Sequence, residues 1–342
     1  MVGRSSEALL PIDVEILNDE VFVVCCRVPR THLKEPFFID SLHNRFEVAD
    51  VQQETMADNT ALVRPLSYRS DDSRIERIRY AEFLARHIGR RVEAELSFIF
   101  HMSRCGSTFL CQLLASSDRF YVLSEPTIAN AILDPERRLP DHVDRFVLLK
   151  AAVCALAECA PTECERIIIK FRSWNTLFLN EILEQFPEVE WTFVHRHGEE
   201  VFPSVLEKPP GWLRNYSSSV RYLSSWLGDG ARQTLDMSKD EAIARILGVF
   251  CRIPAETRHP GGRYISYESI QNNFVSLITS VWKISLLVEE KVAMEGAARI
   301  YSKDLEKTTQ FVRDSISKRR MITPTQRQLI RDFVEVHRER LL

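Results

Sequence analysis

The chain has 342 residues, and 45 Lys+Arg against 48 Asp+Glu leave a formal net charge of −3. Hydrophobic residues at 45% and charged residues at 27% are ordinary for a globular protein of one large domain or two modest ones. A disordered or fibrous chain is excluded, and so near-neutral a balance argues against a nucleic-acid-coating protein, leaving any anion to a local basic pocket.

No apolar run reaches the roughly 18–20 residues of a membrane helix, and the opening MVGRSSEALLPIDVEI lacks the apolar stretch of a secretory signal. The eight cysteines include no C-x-x-C pair, and the spacing of Cys154, Cys159 and Cys164 fits no common zinc pattern. A cytoplasmic chain with reduced thiols and no metal is expected.

Along the chain, residues 1–90 differ in texture from the rest. VEILNDEVFVVCCRV (14–28) is Val-rich and predicts strands, while SRIERIRYAEFLARHIGRR has helical spacing. This predicts a small N-terminal α+β extension ahead of a second unit, 91–342. From residue 95 strands and helices alternate. ELSFIF (95–100), RFYVLSE (119–125), RIIIKF (166–171) and VEWTFVHR (189–196) predict strands. STFLCQLLASS (107–117), DRFVLLKAAVCALAECA (144–160), NTLFLNEILEQF (175–186) and GEEVFPSVLEK (198–208) predict helices. The C-terminal third reads as mostly helical around a short strand at GRYISYE (262–268). Such alternation predicts an α/β fold: a mainly parallel central sheet flanked by helices.

The sharpest local signal is FIFHMSRCGSTFLCQLL (98–114), a strand, a tight loop and a helix start. Backbone N–H groups at such a turn hold phosphate. Against the Walker A pattern, Gly106 and Thr108 fit, His101 stands at the first Gly and Ser107 replaces the lysine. That lysine serves the β/γ-phosphates in kinases and NTPases, so its loss counts against those classes. An anion cradle remains, with Arg104 inside the loop and the Ser107 and Thr108 hydroxyls as donors; the competing reading is an ordinary strand–turn–helix corner. Cys105 sits at the helix start, where a lowered thiol pKa is expected, although no paired His marks it as a nucleophile. A second signal is VEWTFVHRHGEEVFPSVLE (189–207): Arg196 ends a strand, where α/β proteins bind ligands, and Ser204 lies eight residues on. Arg with a hydroxyl suits phosphate. Trp174, Trp191 and Trp212 read as packing residues.

Together these segments resemble the sulfotransferases that use 3′-phosphoadenosine 5′-phosphosulfate, most closely the tyrosylprotein and bacterial branch, in a P-loop NTPase-like fold. Arg104-Cys105-Gly106-Ser107-Thr108 is similar to that family's 5′-phosphosulfate loop, and Arg196 with Ser204 to its 3′-phosphate segment. The resemblance extends to Glu125, 21 residues after Arg104, at the branch's catalytic glutamate, and to Lys170, 26 residues before Arg196, at its lysine near the sulfuryl group. YISYESI (264–270) resembles the late strand and turn. The likeness spans about residues 95–290. Cys105 departs from the usual Ser, and the C-terminal R-K-G of cytosolic members is missing; Lys318 and Arg319 in KRRMITP (318–324) would supply charge instead, the competing reading being a solvated face.

The resemblance implies sulfuryl transfer from that donor, without a metal, to a hydroxyl or amine of a small-molecule or peptide acceptor. Arg104, Lys170 and Glu125 would be catalytic, with His101 the alternative base. Segments 127–145 and 207–235 would build the acceptor site. Alternatives are a P-loop kinase or NTPase, a nucleotide-binding pseudo-enzyme, and a scaffold whose 1–90 region docks a partner.

Overall fold

The computed structural model describes residues 6–46, 49–50, 66–67, 72–89, 94–213, 220–228, 236–312 and 314–342. Parts of the proposed acceptor segment 207–235, namely 214–219 and 229–235, lie outside the described residues.

The N-terminal region opens on a hairpin of β1 (Glu7–Leu17) and β2 (Glu20–Pro29). Its two-residue turn, Asn18-Asp19, has positive φ at both positions, 50° and 65°. That is the turn whose twist matches paired strands, and Asn and Asp tolerate it. Helix α1 (Phe38–Phe46) follows, then the two-residue pair β3 (Ala49–Asp50) and β4 (Leu66–Ser67), then β5 (Ile75–Arg79). β5 pairs antiparallel with β2, giving the order β1-β2-β5. The helical spacing seen across SRIERIRYAEFLARH therefore fails in its first part: Ile75–Arg79 is strand, and α2 covers only Tyr80–His87. Pairing with β2 overrides a weak local preference.

The second sheet has five strands, β6 (Glu95–His101), β7 (Phe120–Ser124), β8 (Arg166–Lys170), β9 (Glu190–His195) and β10 (Gly262–Ser266). All neighbours are parallel, in the order β10-β9-β6-β8-β7. The apolar runs Phe98–Phe100 and Ile167–Ile169 are completely buried, as strands covered on both faces require. Helices α3 (Ser107–Ala115), α4 (Thr127–Leu133), α5 (Arg145–Glu158), α6 (Leu179–Gln185) and α7 (Gly198–Glu207) alternate with the strands. The stretch expected to be one helix over 175–186 begins as a 3-10 turn, Ser173–Phe178, and becomes α6 at Leu179. The long helix Lys239–Glu256 precedes β10, and helix Tyr267–Trp282 follows it. The chain is thus α/β, a five-stranded parallel sheet flanked by helices, with a small antiparallel sheet at its N-terminus.

The two sheets share one hydrophobic core running from Leu10 to Leu341. β1 lies on α4 and α5. Thr127 Oγ1 donates to the Ile12 carbonyl at 2.7 Å, and Arg137 pairs with Asp13 at 3.0 Å.

β6 is the central strand. After it the chain goes to one side, through β7 and β8, and then crosses to β9 and β10 on the other. The carboxyl end of β6 is therefore the place where the winding reverses and a crevice opens.

Candidate active site

Four sequence-predicted segments end at this crevice. The loop Met102–Gly106 follows β6, Glu125 follows β7, Lys170 ends β8 and Arg196 follows β9. The parallel sheet accounts for this convergence, because every strand delivers its last residue to the same edge.

The loop takes an unusual backbone path. Ser103, Arg104 and Gly106 all have positive φ, 80°, 50° and 87°. Gly106 has a second reason to be glycine: a Cβ there would stand 2.4 Å from the Tyr267 ring. α3 begins at Ser107, so its first backbone N–H groups face the loop. Arg104 Nε donates to the Ser204 carbonyl in α7 at 3.3 Å, tying the two motifs together. Burial lowers the pKa of Arg104, opposed by Tyr301 and Glu207. Cys105 corrects an expectation. Its thiol is buried and donates to the Val194 carbonyl at 3.1 Å, and burial pushes its pKa up to about 11. A buried thiol held this way is not a nucleophile.

Glu125 is the hub of the first cluster. It too has positive φ, 62°, and its N–H donates to the Lys170 carbonyl at 2.7 Å. Its carboxylate meets Lys170 Nζ at 2.8 Å through one oxygen and Arg172 Nε at 3.3 Å through the other. His101 Nε2 stands 3.9 Å from the oxygen that Lys170 holds. Burial pushes the Glu125 pKa up, but Lys170, Arg172 and His101 outweigh it and hold the group at about 2. Lys170 is completely buried, and its Nζ also donates to Thr108 Oγ1 at 3.3 Å. An ammonium thus reaches the loop from β8, beside the position where a Walker lysine would start.

Sequence reasoning missed two members of this cluster. Lys303 carries a pKa lowered to about 8, by burial first and then by Arg104 and Lys170. Phe37, from the N-terminal region, lies under both ammonium groups, 5.2 Å from Lys170 Nζ and 5.7 Å from Lys303 Nζ. Those distances suit a cation–π contact. IYSKDLEK and KEPFFID have no pattern that marks either residue; only the folded chain places them. Arg172, two residues past Lys170, carries no pattern that marks it as a Glu125 partner.

The second cluster surrounds Arg196. Its guanidinium stacks 4.0 Å above the Tyr267 ring, the ring that also covers Gly106. Nε pairs with Glu200 at 2.6 Å, and one Nη2 meets Asp314 at 3.0 Å and Ser315 Oγ at 3.1 Å. Glu200 is 1% exposed and is shared with Arg319 at 2.5 Å. Lys318 pairs with Asp314. The structure therefore brings Lys318 and Arg319 to Arg196, each facing a carboxylate. Ser204 is buried in α7. Trp174, Trp191 and Trp212 are all buried as packing residues, with Trp174 stacked on Trp226.

The segment from Arg299 to Arg320 touches both clusters. It supplies Lys303 to the first and Asp314, Ser315, Lys318 and Arg319 to the second. Between them Phe311 stacks on Phe109 of α3, with ring centroids 5.4 Å apart.

No family model matches the chain, and no curated protein matches it in sequence. Among solved structures, the chain is similar to the crystal structure of mouse sulfotransferase SULT7A1 complexed with PAP. The identity is 12%, the TM-score 0.41, and the match covers 72% of this chain and 85% of that one. Likeness at that level assigns neither substrate nor mechanism here. Among the described residues, no helix is long and apolar enough to cross a membrane.

Proposed function

We propose that the chain transfers a sulfuryl group from 3′-phosphoadenosine 5′-phosphosulfate to a hydroxyl or amine on a small molecule or peptide. The observation that carries this reading is the Glu125–Lys170–Thr108 chain of contacts, which joins a carboxylate and an ammonium to the anion loop. The loop N–H groups, Arg104, Cys105 N–H, Gly106, Ser107 and Thr108 would bind the 5′-phosphosulfate. Arg196 and Ser204 would take the 3′-phosphate, with Lys318 and Arg319 beside them. Arg196 would exchange Asp314 or Glu200 for that phosphate, so the bound anion competes with two carboxylates.

In the reaction the acceptor oxygen or nitrogen attacks sulfur, and the bond from sulfur to the bridging oxygen breaks. The electron pair stays on the phosphate of 3′,5′-adenosine bisphosphate, and Glu125 receives the acceptor's proton. A carboxylate with a pKa of about 2 is a weak base. Lys170 resolves this. As its ammonium turns to the departing oxygen it leaves Glu125, whose basicity rises just when the proton must move. Lys303 adds a second cation on the same side, where negative charge accumulates. Catalysis is then positioning and electrostatics supplied by these side chains.

Calorimetric titration with 3′,5′-adenosine bisphosphate, 5′-AMP and ATP tests the reading. The bisphosphate is expected to bind at least tenfold tighter than either. Preference for ATP with magnesium would overturn it in favour of a P-loop kinase, since Lys170 already supplies an ammonium at Thr108.

A further inference from the structure

His101 ends the central strand and is 6% exposed, with one ring nitrogen accounted for and the other not. The Ser103 backbone N–H donates to His101 Nδ1 at 3.1 Å. A nitrogen that accepts has no proton, so in the neutral ring the proton is on Nε2. Nε2 is buried without a hydrogen-bond partner among the described residues, and it lies 3.9 Å from Glu125 Oε1. An unpartnered buried donor beside a carboxylate calls for a reason.

Burial and the neighbouring charges both bear on its protonation. It faces Lys170 from β8, Lys303 from the 299–320 segment, and Glu125 from the end of β7, and a backbone contact from Phe171, too loose to complete a hydrogen bond to Nε2, favours a proton on the ring. Burial, and then Lys170, lower its pKa to about 3. It is therefore neutral at any working pH, and its free position is a proton donor.

We infer that His101 is a positioning residue for Glu125: a neutral imidazole, locked by the Ser103 N–H in the Nε2–H tautomer, that donates towards the carboxylate and so cannot be the base. A gap of 3.9 Å is longer than a hydrogen bond. About 1 Å of movement closes it, and site hydrogen bonds that are loose in a free protein tighten when substrate binds. The role follows from the step above. When Lys170 turns to the departing oxygen, Glu125 loses its strongest partner, and the His101 N–H keeps the same oxygen aimed while the proton arrives. Ser103 can serve as the lock because its positive φ turns its N–H back onto the ring. The inference rests on the sulfuryl-transfer reading only for the identity of that proton; the tautomer and the His101–Glu125 coupling are properties of the free chain.

The test uses the full chain, labelled with ¹⁵N in histidine and ¹³C in glutamate side chains. Between pH 5 and 8 the His101 ring is expected to show one protonated nitrogen, Nε2, and one bare nitrogen, Nδ1, with no change across the range. A proton on Nδ1, or titration to imidazolium in that window, would overturn the inference. His101→Gln places an amide near the Nε2 position, whereas His101→Asn reaches only as far as Nδ1. Glu125 is expected to stay ionised at pH 3.5 in the native chain and in the Gln variant. In the Asn variant its titration is expected to move up by about half a pH unit, because an N–H aimed at the carboxylate from 3.9 Å, too far for a hydrogen bond, is removed. An equal Glu125 signal in all three proteins would also sink it. Bisphosphate binding, measured alongside, separates the two claims: if the native chain does not bind it, the sulfuryl-transfer reading falls, while the nitrogen and carboxyl spectra still decide the role of His101.

Discussion

The two clusters at the sheet edge use the same residue types in different proportions. Around Glu125 a single carboxylate is shared by Lys170 and Arg172, with Lys303 close by. Around Arg196 three cations face two carboxylates, Glu200 and Asp314, and each cation has a carboxylate within bonding distance. The first is a site with surplus positive charge and strongly displaced pKa values, as expected where charge changes during turnover. The second is a nearly balanced lattice around one guanidinium, which in the proposed reaction would hold a group that enters and leaves unchanged. Tyr267 stands between them, with one ring against Gly106 and Arg196 alike.

The sharpest way to break this contrast is Glu125→Gln. It keeps the shape and removes the basicity, so turnover of donor with acceptor is expected to fall at least about 100-fold. Bisphosphate affinity should hold within about twofold. A variant that turns over normally would move the changing charge elsewhere. Arg196→Ala addresses the balanced cluster. Loss of a charge-assisted contact is expected to weaken 3′,5′-adenosine bisphosphate by about 2 kcal/mol, roughly 30-fold, and to leave 5′-AMP almost unaffected. Equal losses for both ligands would show that Arg196 does not read the 3′ end.

A smaller effect separates the clusters by pH. Lys303 is charged below about 8 and neutral above it, so its attraction for an anion is present at pH 7 and lost as pH rises. Bisphosphate affinity is expected to drop about threefold to tenfold between pH 7 and 9. Lys303→Arg should flatten that slope; an unchanged slope would take Lys303 out of the anion site. Acid should do little to the first cluster, because Glu125, with its pKa held near 2, stays ionised until the pH falls well below 4. The smallest effect belongs to the shared segment. Phe311→Leu removes the stack on Phe109 and is expected to lower stability by about 1 kcal/mol in a denaturant titration, with bisphosphate affinity nearly unchanged.

Much of the α/β half was legible because parallel strands advertise themselves. Ile167–Ile169 and Phe98–Phe100 are uninterrupted apolar runs, and the residues just beyond them, Lys170 and His101, belong to the site. Lys170 and Glu125 could be found because each ends a strand. Lys303 and Phe37 could not, since each reaches the cluster from a loop more than 100 positions from Lys170, and long-range packing leaves no local periodicity. The thiol of Cys105 was misjudged for a related reason. Its place at a helix start is visible in sequence, whereas the burial that outweighs the helix dipole is not. Ile75–Arg79 reads as helix in isolation and becomes strand only because β2 is there to pair with it.

The docking of β1 on α4 and α5 also sets an order of events during synthesis. Thr127, whose hydroxyl grips the Ile12 carbonyl, is made 115 residues after it. At roughly 5–20 residues per second, the hairpin spends on the order of ten seconds outside the ribosome before its partner exists. A lone hairpin is marginal in water, so for that interval the apolar face of β1 and β2 is open to other nascent chains. Expression yield should therefore respond to translation speed between residues 30 and 127 and to chaperones that hold early segments, even where the finished protein is stable.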